Sequence, residues 1–139
     1  LAGSQNDKTI SMGGTNIEKS STENAELLDY KQILEDYEIT LFRNPKFFFG
    51  YFNRAYIKLR LNEYKSAIED LNRAIQLEPE FAEAYFNRGL TKIYLEDIEG
   101  GAMDLSRAGE LGIHGAYNII KRYCNWTVKN RTIYWLFEL

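Results

Sequence analysis

Asn53 and Asn87 are the side chains with the clearest chemical use in this sequence. Each is the third residue of a Tyr-Phe-Asn-Arg tetrapeptide, and the two copies begin at Tyr51 and Tyr85. A carboxamide donates and accepts hydrogen bonds at once, so a pair at fixed spacing can hold a peptide backbone without reading its side chains. The competing reading is that each asparagine caps or bridges a neighbouring turn. Spacings of three and four residues place Phe49, Phe52, Tyr56 and Arg60 on one helical stripe with Asn53. The same spacing groups Glu83, Phe86, Leu90 and Tyr94 with Asn87. Phe49 stands out because its counterpart is the charged Glu83, and an exposed ring there would suit a partner's apolar side chain. Phe47 and Phe48 are expected to pack under the preceding helix instead.

Other chemistry finds little support. The chain has one histidine, His114, and one cysteine, Cys124. A single cysteine allows no internal disulfide and no Cys-rich metal site. Cys124 is expected to be an ordinary buried thiol. The carboxylates Glu69, Asp70, Glu78 and Glu80 follow helical faces without a paired spacing, and Gly100-Gly101 lacks the surroundings of a phosphate loop. The expectation is therefore no catalytic residue, no metal and no cofactor. Of the 139 residues 27% are charged, for a net charge of -3, so no basic stripe invites nucleic acid. No apolar run reaches membrane-spanning length.

These residues must be positioned by helices. Apolar spacing predicts a helix over Asn24–Arg43, stopped by Asn44-Pro45. Helices follow at about Phe47–Leu61 and Tyr64–Leu77, joined by a turn at Asn62-Glu63 and ended by Glu78-Pro79. The pattern returns with helices at about Ala82–Leu95 and Ile98–Leu111, a turn at Glu96-Asp97, and Gly112 as terminator. A closing helix is expected over His114–Cys124. Residues 1–23 read as a polar arm or linker. Residues 125–139 fit no single pattern: Ile133, Trp135, Phe137 and Leu139 alternate as in a strand, while a short covering helix is equally open.

Residues 48–81 and 82–115 align without gaps, and eleven positions are identical. Unrelated segments of ordinary composition would share about two. The pattern resembles the tetratricopeptide repeat. Tyr51, Ala55, Ala67, Ala74 and Pro79 stand at that family's marked positions, and Tyr85, Gly89, Gly101 and Ala108 repeat the first four, with Ile113 in place of the proline. Asp36, Thr40 and Asn44-Pro45 look like the second half of a preceding unit, spanning 24–47, whose first helix is not recognisable.

The resemblance implies an all-α, right-handed superhelical stack of antiparallel helix hairpins with about five or six helices. It implies that the small residues mark helix crossings and that Tyr51 and Tyr85 fill the space between hairpins. The Asn53 and Asn87 stripes would line the concave face. The resemblance also implies a non-enzymatic module that binds a peptide or protein segment in that groove. Some members hold an acidic chaperone tail in a carboxylate clamp. Here Asn53 meets one requirement, but Glu83 and Asn87 stand where Lys and Arg belong, so no clamp is expected. Arg54 and Arg88 are read as structural partners of Asp70 and Asp104, with Arg73 and Arg107 sharing those carboxylates.

The alternative function is structural: a spacer in a larger protein, or a scaffold self-associating through an apolar patch of Trp126, Trp135 and Phe137. Asn125-Trp126-Thr127 and Asn130-Arg131-Thr132 match glycosylation triplets, which also arise by chance. Leu1-Ala2-Gly3 resembles the end of a bacterial lipoprotein leader with Ser4 in the cysteine's place. Excision from a longer protein is the preferred reading, and the compartment stays open between cytoplasm and bacterial cell envelope.

Overall fold

The computed structural model describes residues 14–124. Those residues form α1 (Gly14–Arg43), α2 (Phe48–Arg60), α3 (Tyr64–Leu77), α4 (Ala82–Tyr94), α5 (Ile98–Glu110) and α6 (Gly115–Ile119). A π-helical turn, Ile120–Cys124, continues α6. The expectations about residues 1–13 and 125–139, including the alternating segment, the glycosylation triplets and the tryptophan patch, lie outside the described residues.

The α2–α3 and α4–α5 pairs are antiparallel hairpins turned by one residue of left-handed conformation each, Asn62 at φ 60° and Glu96 at φ 67°. Asparagine tolerates that region and glutamate adopts it at some cost. Asp97 then caps α5 by accepting from the Gly100 amide at 3.0 Å. Gly112, at φ 114°, ends the second hairpin.

Ala55, Ala67 and Ala74 are fully buried at the α2–α3 crossing, with Leu71 between them. The α4–α5 crossing is tighter. A Cβ on Gly89 would lie 2.9 Å from the Gly101 carbonyl oxygen, and one on Gly101 would lie 2.8 Å from the Gly89 oxygen. Here backbone meets backbone, and any side chain would force the helices apart. Tyr51 packs against the buried cluster that runs from Ala55 of α2 and Leu71 of α3 to Ala84 of α4. Tyr85 packs with Leu105, Ala108 and Ala116, joining α4 and α5 to α6. Both rings therefore wedge between successive units, and the layers stack as an α-solenoid.

Three expectations change. The first helix begins at Gly14, not Asn24, so residues 14–23 of the supposed arm are helical. That stretch carries helix-compatible polar residues and no proline, and its polar faces leave no apolar pattern to read. The closing helix is α6 plus the π-turn rather than one regular helix. The wider coil rotates less per residue, which suits the consecutive Ile119 and Ile120 both packing against the buried cluster of Leu105, Ala108 and Ala116. Phe48 packs not under α1 but edge-on to Phe81 at 5.2 Å, across the α2–α4 seam. Phe47 does approach Leu41 of α1 around Gly50, yet stays over a third exposed.

Candidate functional site

Each hairpin is locked by the same buried ion cluster. Arg54 donates to both oxygens of Asp70, from Nε at 2.8 Å and from Nη2 at 2.6 Å. Lys58 Nζ, one turn further along α2, lies 2.8 Å from the same carboxylate. In the second hairpin Arg88 grips Asp104 at 2.8 and 2.6 Å, and Lys92 completes the cluster at 2.9 Å. Asp70 and Asp104 are buried. Hydrogen bonding to Asp70 raises the Arg54 pKa further above its usual value, against the opposing effect of burial. Arg88 also donates to Asn72 Oδ1 at 2.8 Å, tying the second hairpin to the first.

Arg73 and Arg107 do not share these carboxylates. Arg73 bonds Gln76 at 2.6 Å and lies over the Tyr51 ring at 5.9 Å, while Arg107 pairs with Glu110 at 3.0 Å. The second cation comes from the facing helix, because Lys58 and Lys92 follow their arginines by four residues and so share their face. This arrangement fixes the rotation of α2 and α4. With Arg54 and Arg88 turned inward, the adjacent asparagines are carried toward the other side.

That side holds the ten residues named from the sequence. On α2, Phe49 is 47% and Tyr56 53% exposed, and Phe52 and Asn53 are half-buried between them. On α4, Leu90 and Tyr94 are exposed, Glu83 is exposed at the start, and Phe86 and Asn87 are half-buried. Among the described residues, no side-chain hydrogen bond occupies either carboxamide; the Asn87 backbone carbonyl accepts from Thr91 Oγ1 at 2.7 Å. The turn-bridging reading of these asparagines therefore lacks a partner among those residues.

Several members of the stripe are partly engaged. Phe49 stacks on Phe48 at 4.3 Å and meets Phe81 edge-on at 5.2 Å, so one of its faces belongs to the α2–α4 seam. Tyr94 stacks on Tyr64 at 4.5 Å, and hydrogen bonding with Tyr94 pushes the Tyr64 phenol above its ordinary value. Arg60 turns to α1: Glu26 lies 3.7 Å away, and hydrogen bonding with Tyr30 raises the arginine's pKa. A concavity of about 210 Å³ opens there between Glu23, Leu27, Tyr30 and Arg60.

The sequence reading missed how far the surface continues. Leu90 also lines a concavity of about 380 Å³ with Asn118, Ile119, Arg122 and Tyr123 from α6 and the π-turn. The signal was the period itself: one further repeat length from Asn87 and Arg88 leads to Lys121 and Arg122. Among the described residues no cluster of three or more His, Cys, Asp or Glu side chains could hold a metal. None of the described helices is long and apolar enough to cross a membrane.

Comparison with known proteins agrees with the hairpin geometry. A family model described as TPR repeat matches residues 55–92, which hold Lys58 and Asp70 of the first ion cluster and Arg88 and Lys92 of the second. The matched residues carry a tetratricopeptide repeat. No curated protein sequence matches it. Solved structures similar to this repeat domain include the first TPR of Spaghetti (RPAP3) bound to the HSP90 peptide SRMEEVD. That likeness has a TM-score of 0.68 at 22% identity over 79% of this chain and 89% of the other. The first TPR domain of human RPAP3 gives 0.67 at 22% identity, over 82% and 91%. TPR2B of yeast Sti1 in complex with pHsp70 gives 0.63 at 24% identity, over 78% and 90%. At these identities the likeness speaks for the TPR fold.

Proposed function

We propose that this TPR domain is a non-enzymatic module that binds an extended peptide segment of another protein across the stripe of α2 and α4. The observation that carries the reading is the pair of equivalent carboxamides, Asn53 and Asn87, each half-buried between accessible aromatic or aliphatic side chains. Each can donate to a carbonyl and accept from an amide of the same guest strand, while Phe49, Tyr56, Leu90 and Tyr94 offer apolar seats beside it. The structures of the RPAP3 and Sti1 domains with chaperone peptides support the general reading. Glu83 opposes a guest rich in carboxylates, so the proposed ligand is apolar or basic rather than an acidic tail.

Selection from a displayed random-peptide library supplies ligands for the test. Binders are expected to lose about tenfold or more in affinity when Asn53→Ala and Asn87→Ala are combined. Undiminished binding by the folded double variant would reject the groove assignment.

A further inference from the structure

We infer that α1 presents a vacant seat for a basic amphipathic helix from another molecule, recognised through Asp36. The junction from α1 to α2 repeats the junction from α3 to α4. Phe47 N donates to Asn44 O at 3.2 Å, as Phe81 N does to Glu78 O at 3.2 Å. The backbone angles match as well: φ -79° and ψ 86° at Phe47, φ -77° and ψ 87° at Phe81. By that equivalence α1 is the second helix of a unit whose first helix has no counterpart among the described residues.

The reason lies in the turn. The left-handed residue that reverses the two complete hairpins is Asn62 or Glu96, and one repeat length before Asn62 stands Leu28. A leucine resists that conformation, and α1 runs straight through it. Residues 14–26, which occupy the first helix's place in the sequence, extend away along the same axis instead of folding back.

The face so exposed matches the one that receives α2 on α3. Ile33, Asp36, Tyr37 and Thr40 correspond to Ala67, Asp70, Leu71 and Ala74. The α3 residues are buried, whereas Ile33 is 36% exposed, Asp36 and Thr40 are exposed and Tyr37 is half-buried. Asp70 and Asp104 each hold an arginine and a lysine. Among the described residues, the Asp36 carboxylate instead accepts a single long 3.3 Å bond, from Gln32 on its own helix. Its counterpart cations in this chain would be Ser20 and Asn24, which carry no charge.

The occupant must bring the missing charges: Arg-x-x-x-Lys on one helical face, with a small residue after the arginine to pass Ile33. Within this chain that pattern occurs at Arg54/Lys58 and Arg88/Lys92, both already engaged. Residues 1–13 hold only Lys8, and 125–139 hold Lys129 and Arg131, too close together to share a helix face. A second copy of α1 brings seven acidic side chains against three basic ones, so like charge opposes that pairing.

The probe is a fluorescent synthetic peptide of residues 82–94, which carries the arginine, the glycine and the lysine in register, titrated into the intact chain. Saturable binding is expected, with Kd on the order of 100 µM. It should weaken about tenfold for Asp36→Asn, and equally for a peptide with Arg88→Gln and Lys92→Gln. Asp36 is exposed, so an unchanged thermal midpoint is the folding control. Absence of saturation at millimolar peptide would overturn the inference. So would binding indifferent to Asp36→Asn, the signature of a peptide that invades a complete hairpin or the groove. Light scattering that shows a dimer disrupted by Leu28→Glu would overturn it in favour of a second copy.

Discussion

The two complete hairpins reach the same fold through different contacts. Both bury one aspartate beneath an arginine and a lysine, in nearly the same geometry. The first crosses its helices on alanines, whereas the second lets backbone touch backbone at Gly89 and Gly101. The first turns on an asparagine, the second on a glutamate. The electrostatic lock therefore sets the register of each hairpin, and the helix spacing is free to vary around it. A buried charged cluster acts here through orientation, since its net contribution to stability is small while losing one partner is costly.

Removing the carboxylate should have the largest effect. Asp70→Ala leaves Arg54 and Lys58 facing each other in a largely buried site and should cost about 3–5 kcal/mol in urea unfolding. Asp104→Ala should cost about 1 kcal/mol less, because Arg88 retains its bond to Asn72. Equal losses would show that the Asn72 bond contributes nothing to the difference.

The crossings come next. Gly101→Ala puts a methyl against the Gly89 carbonyl and should destabilise by about 1–3 kcal/mol. The converse change in the other hairpin, Ala67→Gly, should cost only about 0.5–1 kcal/mol, mostly in helix propensity. A reversal of that order would mean the second crossing is looser than its backbone approach indicates. The turn should give the smallest effect. Glu96→Asn copies the first hairpin's turn residue into the second and should stabilise by about 0.5 kcal/mol. These substitutions can be read from thermal midpoints.

At the far end of the stack, burial raises the Cys124 pKa, which holds the group as its unreactive thiol. Its modification by a disulfide reagent at pH 8 should be slow in the native chain and fast in urea. Equal rates would place the thiol outside the packed end.

Most of the hairpin architecture is legible in the chain because each element carries punctuation at both ends. Pro45, Pro79 and Gly112 close helices, and recurring small residues mark where axes approach. The part without such marks is not legible. Residues 14–23 offer no periodic apolar pattern, so a helix there looks like polar linker. Closeness along one helix points to Arg73 as a partner of Asp70, whereas Lys58 reaches the carboxylate across the hairpin. Lys58 and Lys92 are themselves among the repeated positions, and their four-residue offset from the arginines holds the answer. For the candidate site, the stripe's members follow from spacing; six of the ten are exposed, and Phe52, Asn53, Phe86 and Asn87 are half-buried. The contribution of α6 is hidden because Asn87 gives way to Lys121 and the coil changes pitch there.

The length of α1 has one more consequence. Thirty residues of helix measure about 45 Å, against about 20 Å for the thirteen of α2 beside it. The rod meets the body as far as Glu23, beside Arg60 and Leu61, and the roughly two turns ahead of it reach past α2 like a mast. Whatever polypeptide is joined ahead of residue 14 starts well clear of the solenoid. A tether at that point would hold its load at arm's length, leaving the body free to turn toward an approaching guest.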